Sequence, residues 1–170
     1  MNRLCYILSL PRRWWHRHGF NVQSPWAYAF VRDALADKSW FYAFDKLAGT
    51  KADRQLFRIV RWLHAKDVVA YTDDNITKAH LVAPLSKRGL NDNGMTVRYY
   101  DSKHLTDLQN DIEQGIFDEH TCLIVDGIRK SAAAVWDIIV SQLPTTSTFD
   151  LGKRGVAFFD PARQRQRYIL

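Results

Sequence analysis

Cysteine is scarce in this sequence, and long apolar runs are missing. The chain of 170 residues has two cysteines, Cys5 and Cys122, which lie far apart and outside any CxxC pair. We therefore expect neither a disulfide framework nor a cysteine-based zinc site. The apolar stretch 4–10 ends at Pro11-Arg12-Arg13, well short of the roughly 18 residues that a membrane-spanning helix needs. We expect a cytoplasmic protein with no transmembrane segment.

Motifs for metal binding and nucleophilic catalysis are also missing. The six histidines show no HxxxH or HExxH spacing, and no serine stands in a GxSxG turn. Glycine does not occur between Gly49 and Gly89, although a nucleotide-binding turn normally needs it so that the backbone can approach the phosphate. These absences disfavour a dinucleotide-binding dehydrogenase, a P-loop protein and a metal site, and they point to no catalytic residue.

The N-terminal third is predicted to be helical. Residues 2–16 are apolar and basic, and Ser24-Pro25 is a typical helix start for a second helix over 25–36. Residues 38–53 carry an aromatic cluster and are expected to form a packed connection. We place a boundary there, between an N-terminal helical appendage (1–52) and an α/β domain (53–170).

Strands and helices alternate from residue 53 onward. Predicted helices cover 53–64, with Asp53 as its cap, and 76–88, 106–114 and 131–143; predicted strands cover 67–72, 95–100, 121–125, 145–151, 156–159 and 166–170. Parallel neighbours need crossover helices, which are right-handed, whereas the closing strands lie too close together for crossovers. The prediction is a doubly wound, Rossmann-like α/β fold with a mainly parallel sheet and antiparallel C-terminal edge strands.

Polar residues, most of them acidic, follow three predicted strands. They are Thr72-Asp73-Asp74-Asn75, Asp101-Ser102 and Asp126-Gly127, and the carboxyl ends of parallel strands form the ligand-binding rim of such a sheet. Asp101, after the second strand, has two acceptor oxygens suited to a ribose. A role as turn former or helix cap is the alternative for Asp101, and equally for Asp126, which is otherwise a candidate base or polar anchor.

Positive charge is concentrated at the two ends of the chain. Residues 1–20 and 151–170 together carry a net charge of +8, although the whole chain is at +6. Basic segments with interleaved aromatics can bind nucleic acid or an anionic membrane surface, or simply form a solvated face. The candidate contacts are Arg12, Arg13, Arg17, Arg163, Arg165 and Arg167.

Two stretches resemble a bacterial class I S-adenosylmethionine-dependent methyltransferase-like family. Residues 17–31, with Arg-His-Gly-Phe-Asn-Val-Gln-Ser-Pro-Trp, are similar to its RHGxxVHSPFxY opening. Residues 148–159, with Thr-Phe-Asp-Leu and Gly-Val-Ala-Phe-Phe, are similar to its closing TIDLxxxGxxFF strands. Residues 123–128 match the strand that ends in Asp-Asp-Ile in the family, and Trp136 lies in the following helix.

The resemblance implies a methyltransferase fold with adenosylmethionine as cofactor. The cofactor would lie over Tyr71, Thr72, Asp73, Asp74 and Asn75, with Asp73 or Asp74 near its ammonium group, its ribose near Asp101, and Asp126 at the same rim. The family carries an E-x-G-x-x-x-G turn, whereas residues 70–75 have no glycine, and Gln23 replaces the histidine of the opening motif. Only one strand and helix, over about 95–115, separate the first strand–helix unit from the Asp126 strand, where the family has more. We expect a shortened relative with weakened or lost cofactor binding. The alternative is a non-catalytic binding module that uses its basic termini to contact nucleic acid, an anionic membrane surface or a protein partner.

Overall fold

The computed structural model describes residues 24–85 and 94–170. Its helices are α1 (Pro25–Phe30), α2 (Ala43–Lys46), α3 (Lys51–Trp62), α4 (Asn75–Val82), α5 (Leu105–Glu113) and α6 (Ala133–Ser141). Its strands are β1 (Asp67–Tyr71), β2 (Thr96–Tyr100), β3 (Thr121–Asp126), β4 (Ser147–Asp150), β5 (Arg154–Phe158) and β6 (Gln166–Ile169). The predicted helix over 2–16, the end of the one over 76–88, and Arg12, Arg13 and Arg17 lie outside the described residues.

The six described strands form one mixed sheet in the order β1-β2-β3-β5-β4-β6. Pairing is parallel between β1 and β2 and between β2 and β3, and antiparallel between β3 and β5 and between β5 and β4. The α/β class is thereby confirmed. The last strand differs from the prediction: β6 runs antiparallel to β5 but lies beside β4, to which it is parallel. The edge strand is therefore not antiparallel to its neighbour.

The order of the parallel strands bears on where a ligand could bind. A doubly wound sheet reverses its strand order, and ligands bind at the reversal. Here β1, β2 and β3 follow one another across the sheet in sequence order, and no described strand lies on the outer side of β1. The described strands therefore do not form such a reversal, and the doubly wound, Rossmann-like order is not seen among them.

Helix α1 packs into the same core as the sheet. The Ser24 hydroxyl accepts a hydrogen bond from the Ala27 N–H, and Pro25 occupies the first turn, where its missing N–H costs nothing. The helix continues as a π-helical turn over Val31–Leu35. Four of its side chains are buried against α3 and the sheet: Ala27, Phe30, Val31 and Ala34. The division into 1–52 and 53–170 stays a prediction.

Helices cover both faces of the sheet. Along β3, side chains alternate between two apolar clusters, so Cys122 and Ile124 pack with α1, α3 and α4, while Leu123 and Val125 pack with α5 and α6. All four have no exposed surface. A strand buried on both faces explains why this segment reads as an unbroken apolar run rather than an alternating one.

Trp136 and Gly155, both in segments that resemble the methyltransferase-like family, contact each other directly. Trp136 on α6 is buried and lies across Gly155 on β5, where a Cβ atom would fall 2.5 Å from Cη2 of the indole ring. Only a residue without a side chain allows the ring to approach the strand this closely. The contact fixes α6 against the sheet beside β3.

Candidate functional site at the strand ends

The carboxyl ends of β1, β2 and β3 lie side by side. The register pairs Tyr71 with Tyr100 and Tyr100 with Val125, and the Asp101 N–H donates to the Tyr71 carbonyl oxygen at 3.1 Å. The residues that follow each strand therefore share one rim, as the sequence predicts. How each rim side chain is used is decided by its hydrogen bonds.

Asp74 caps helix α4. Its carboxylate accepts from the Ile76 N–H at 3.0 Å and the Thr77 N–H at 3.3 Å, and the Thr77 hydroxyl lies 2.6 Å from the same carboxylate. The hydroxyl and the two N–H groups lower the pKa of Asp74 below its ordinary value. The Asp74 N–H itself donates to the buried Thr72 hydroxyl. Of the residues able to start this helix, Asp74 is the cap, and Asn75 is the exposed first residue.

Asp73 points to solvent. Its side chain is 72% exposed, and its carboxylate lies 3.8 Å from Lys103 Nζ and 3.5 Å from His104 Nε2. Exposed pairs of this kind contribute little to stability. Both acidic side chains of this turn are exposed, but Asp74 caps α4, whereas Asp73 forms these two surface ion pairs.

Asp101 holds the turn after β2. Its Oδ1 accepts from the Lys103 N–H at 2.7 Å and from the His104 N–H at 3.2 Å, and the Thr72 hydroxyl also stabilises the carboxylate. Burial raises the pKa of Asp101, but these hydrogen bonds outweigh burial, so its pKa lies below the ordinary value. The carboxylate that was predicted to accept ribose hydroxyls thus accepts hydrogen bonds from the protein itself. Asp101 therefore has the turn-forming role that the sequence offered as the alternative.

Tyr71 belongs to an aromatic pair. Its ring stacks on that of Tyr100, with centroids 4.7 Å apart and planes 9° from parallel. The Tyr100 hydroxyl donates to Asp111 on α5, and Arg98 lies 3.4 Å from the same carboxylate. Burial and Asp111 raise the pKa of Tyr100 far above its ordinary value, so its hydroxyl stays protonated. The pair is a packed part of the α5 face.

Asp126 forms a buried ion pair that the sequence analysis missed. Both of its carboxylate oxygens contact the Arg154 guanidinium, at 2.5 and 2.8 Å, and the Tyr99 hydroxyl donates to Oδ2 at 2.7 Å. Arg154 is 6% exposed and also donates to the Ala52 carbonyl oxygen at 2.9 Å. The signal in the sequence is a charged residue that opens an apolar strand, which needs a buried partner. Asp126 is thus an anchor for Arg154.

The start of α3 adjoins this rim. Thr50, not the predicted Asp53, is the helix cap; its hydroxyl accepts from the Asp53 N–H, and its own N–H donates to Asp53 Oδ2 at 2.7 Å. The Thr77 hydroxyl lies 3.1 Å from Asp53 as well as near Asp74. A reciprocal capping box of this type needs a threonine three residues before an acid. The Thr77 hydroxyl, which contacts both Asp53 and Asp74, links the first turns of α3 and α4.

The arginines near the C-terminus differ in their surroundings. Arg163 pairs with Asp160 at 2.8 Å and lies over the Trp26 ring at 3.5 Å. Arg165 donates to two carbonyl oxygens at the end of α6. Arg167 is exposed. Of the six arginines predicted to contact an anionic partner, the structure describes these three, and two of them are held by the protein itself.

Comparison with protein-family models, with curated proteins and with solved structures gave no match for this chain. Within residues 24–85 and 94–170, no helix is long and apolar enough to cross a membrane. The same residues contain no cluster of three or more histidine, cysteine or acidic side chains arranged to hold a metal ion.

Proposed function

We propose that this chain is a non-catalytic binding module built on a methyltransferase-like α/β scaffold, with the cofactor rim taken over by internal contacts. The observation that carries the proposal is the use of the rim carboxylates. Asp74 caps α4, Asp101 holds the turn after β2, and Asp126 pairs with Arg154. A bound adenosylmethionine would have to break some of these hydrogen bonds, at the cost of leaving polar groups unpaired.

The turn between β1 and α4 supports the same proposal. Thr72 is buried, and its hydroxyl contacts both the Asp74 N–H and Asp101. A cofactor turn needs bare backbone at this position, whereas here a side chain fills the space. The methyltransferase-like ancestry is part of this proposal and rests on the opening and closing motifs of the sequence.

Calorimetric titration with adenosylmethionine and adenosylhomocysteine tests the proposal. We expect no binding heat for either ligand at millimolar concentration. Micromolar binding to the unaltered chain that is lost in Asp101→Asn would contradict the proposal and favour an active methyltransferase instead. Lys78→Gln, an exposed change on α4, is the matched control, since it should leave either result unchanged.

A nucleic-acid partner is the binding mode that the charge pattern favours. Affinity for a mixed oligonucleotide should then fall steeply with salt. Because Arg163 and Arg165 bond to the protein itself, Arg167→Gln should reduce the salt slope more than Arg163→Gln or Arg165→Gln. Binding that does not depend on salt would remove nucleic acid as the partner.

A further inference from the structure

A second region of the molecule has the chemistry of a ligand site. A cleft of about 880 Å³ lies between α1, α3 and the ends of β4 and β6, and it shares no lining residue with the rim. Its volume is in the range of small-molecule sites. The geometry points to a nucleotide site in this cleft, which would take a planar base together with its phosphate. This inference goes beyond the proposed function and does not depend on the state of the rim.

Three cations that line the cleft have no acidic partner among residues 24–85 and 94–170. Lys38 and Lys51 are exposed, and neither forms an ion pair with the described residues. The Arg54 guanidinium contacts aromatic rings and likewise has no carboxylate partner in the described part of the chain. The one acid of the lining, Asp37, pairs with Arg58 at 3.8 Å. Three positive charges are therefore available to a phosphate.

Trp40 offers a fixed aromatic surface at this cleft. The Trp40 Nε1–H donates to Asp45 at 2.8 Å, and the edge-on Phe44 ring packs at a centroid distance of 5.7 Å. Arg54 lies over the ring at 4.6 Å, yet 59% of Trp40 stays exposed. An exposed tryptophan held by a hydrogen bond, a ring contact and a cation is preorganised for stacking, so little conformational entropy is lost on binding.

The remaining wall explains why the ligand should be amphipathic. Val31, Leu35 and Leu151 add apolar side chains to the lining of the cleft. A free phosphate would use the cations alone, and an apolar molecule would leave them without a partner. A base or nucleoside joined to a phosphate satisfies the aromatic ring, the apolar wall and the positive charges together, since bases stack on aromatic side chains and phosphates pair with lysine and arginine.

The experiment uses calorimetry to compare the binding of a nucleotide with that of its separate parts, the nucleoside and phosphate. The probes are adenosine monophosphate, adenosine, inorganic phosphate and a ten-nucleotide single strand of deoxyadenosine. We expect the monophosphate or the single strand to bind more tightly than adenosine and phosphate each bind alone. Saturation by the monophosphate assigns a free nucleotide, whereas binding by the single strand alone assigns a nucleotide within a chain. Either result supports the site when a variant of the cleft lining weakens the binding, which separates it from binding through Arg167.

Two variants separate the stacking and charge contributions. Trp40→Ala should weaken binding of the probe by about tenfold or more, the effect of losing one stacked base. Lys51→Gln should lower the slope of log affinity against log salt by about 0.7 for the single strand. Lys51 is exposed, so its variant keeps the test informative if Trp40→Ala disturbs the fold. Lys78→Gln carries the same charge change outside the cleft lining and should leave binding unchanged.

The inference is overturned by any of three results. One is the absence of binding by both the monophosphate and the single strand at millimolar concentration. Another is binding that Trp40→Ala and Lys51→Gln both leave unchanged. The third is binding that disappears in Asp101→Asn, because the ligand would then occupy the rim. Failure of the proposed function has a different signature, which is binding of adenosylmethionine at the rim with the cleft variants unaffected.

Discussion

The Asp126–Arg154 pair should be one of the most sensitive points of the fold. Arg154 is almost entirely buried, whereas the Asp126 side chain is 27% exposed. Arg154→Met leaves the Asp126 carboxylate with only the Tyr99 hydroxyl, and it also removes the Arg154 hydrogen bond to the Ala52 carbonyl oxygen. Breaking one side of a buried pair costs about 3–5 kcal/mol, and the partial exposure of Asp126 places the expected loss near the lower figure.

The reverse change should cost a similar amount. Asp126→Leu leaves the Arg154 guanidinium without a carboxylate partner, and Arg154 is only 6% exposed. Replacing both partners removes the uncompensated charge, because neither member is left alone. The double variant Asp126→Leu/Arg154→Met should therefore lose much less than the sum of the single losses.

Urea unfolding followed by circular dichroism gives the free energy of unfolding of the unaltered chain, the two single variants and the double variant. For a chain of this size, a loss of about 3 kcal/mol corresponds to roughly 6–12 °C in Tm, so thermal unfolding provides a second reading. Single-variant losses below about 1 kcal/mol, or a double variant whose loss equals the sum, would refute the reasoning that the pair is desolvated and mutually compensated.

Two other predictions concern packing and pH. Gly155→Ala should lower the free energy of unfolding by about 1–3 kcal/mol in urea, because its Cβ would press against the buried Trp136 ring. Gly115→Asn should be nearly neutral, because asparagine tolerates the left-handed backbone there and a Cβ atom would meet no non-neighbouring atom within 4 Å. Equal losses in the two variants would contradict the packing argument. The pKa values of Asp74 and Asp101 are lowered by folding, so their contribution is present above the unfolded pKa near 4 and is lost as the pH falls through the lower folded values. The urea midpoint should therefore be lower at pH 3 than at pH 6, and a higher midpoint at pH 3 would show that the sign is wrong.

Local patterns are enough to predict most of the elements. The Ser24-Pro25 start, the apolar runs of β2 and β3, and the stripe of α3 each depend on neighbours in the sequence, so their bounds are predicted within a few residues. The predicted cap of α3 is wrong by about one helical turn. Asp53 is acidic and lies near the start of the helix, but the cap is Thr50, three residues earlier, which forms a capping box with Asp53.

Long-range pairing is what the sequence does not specify. Nothing local in residues 166–170 distinguishes a partner in β5 from one in β4, and the structure pairs β6 with β4. The Arg154 guanidinium meets Asp126 only because β3 and β5 are antiparallel neighbours in the register that sets these two residues opposite each other. The cleft likewise needs residues from α3, from the turn before α2 and from the end of β4, which no motif unites.

The position of Cys122 gives the chain its own reporter of opening. The thiol lies in β3, between the parallel and antiparallel parts of the sheet, with no exposed surface, and burial raises its pKa well above the ordinary value. An alkylating reagent can reach such a sulfur only after neighbouring strands have separated. The rate at which Cys122, as distinct from Cys5, is alkylated therefore reports how often the native state opens around β3, and no cysteine has to be introduced for the measurement.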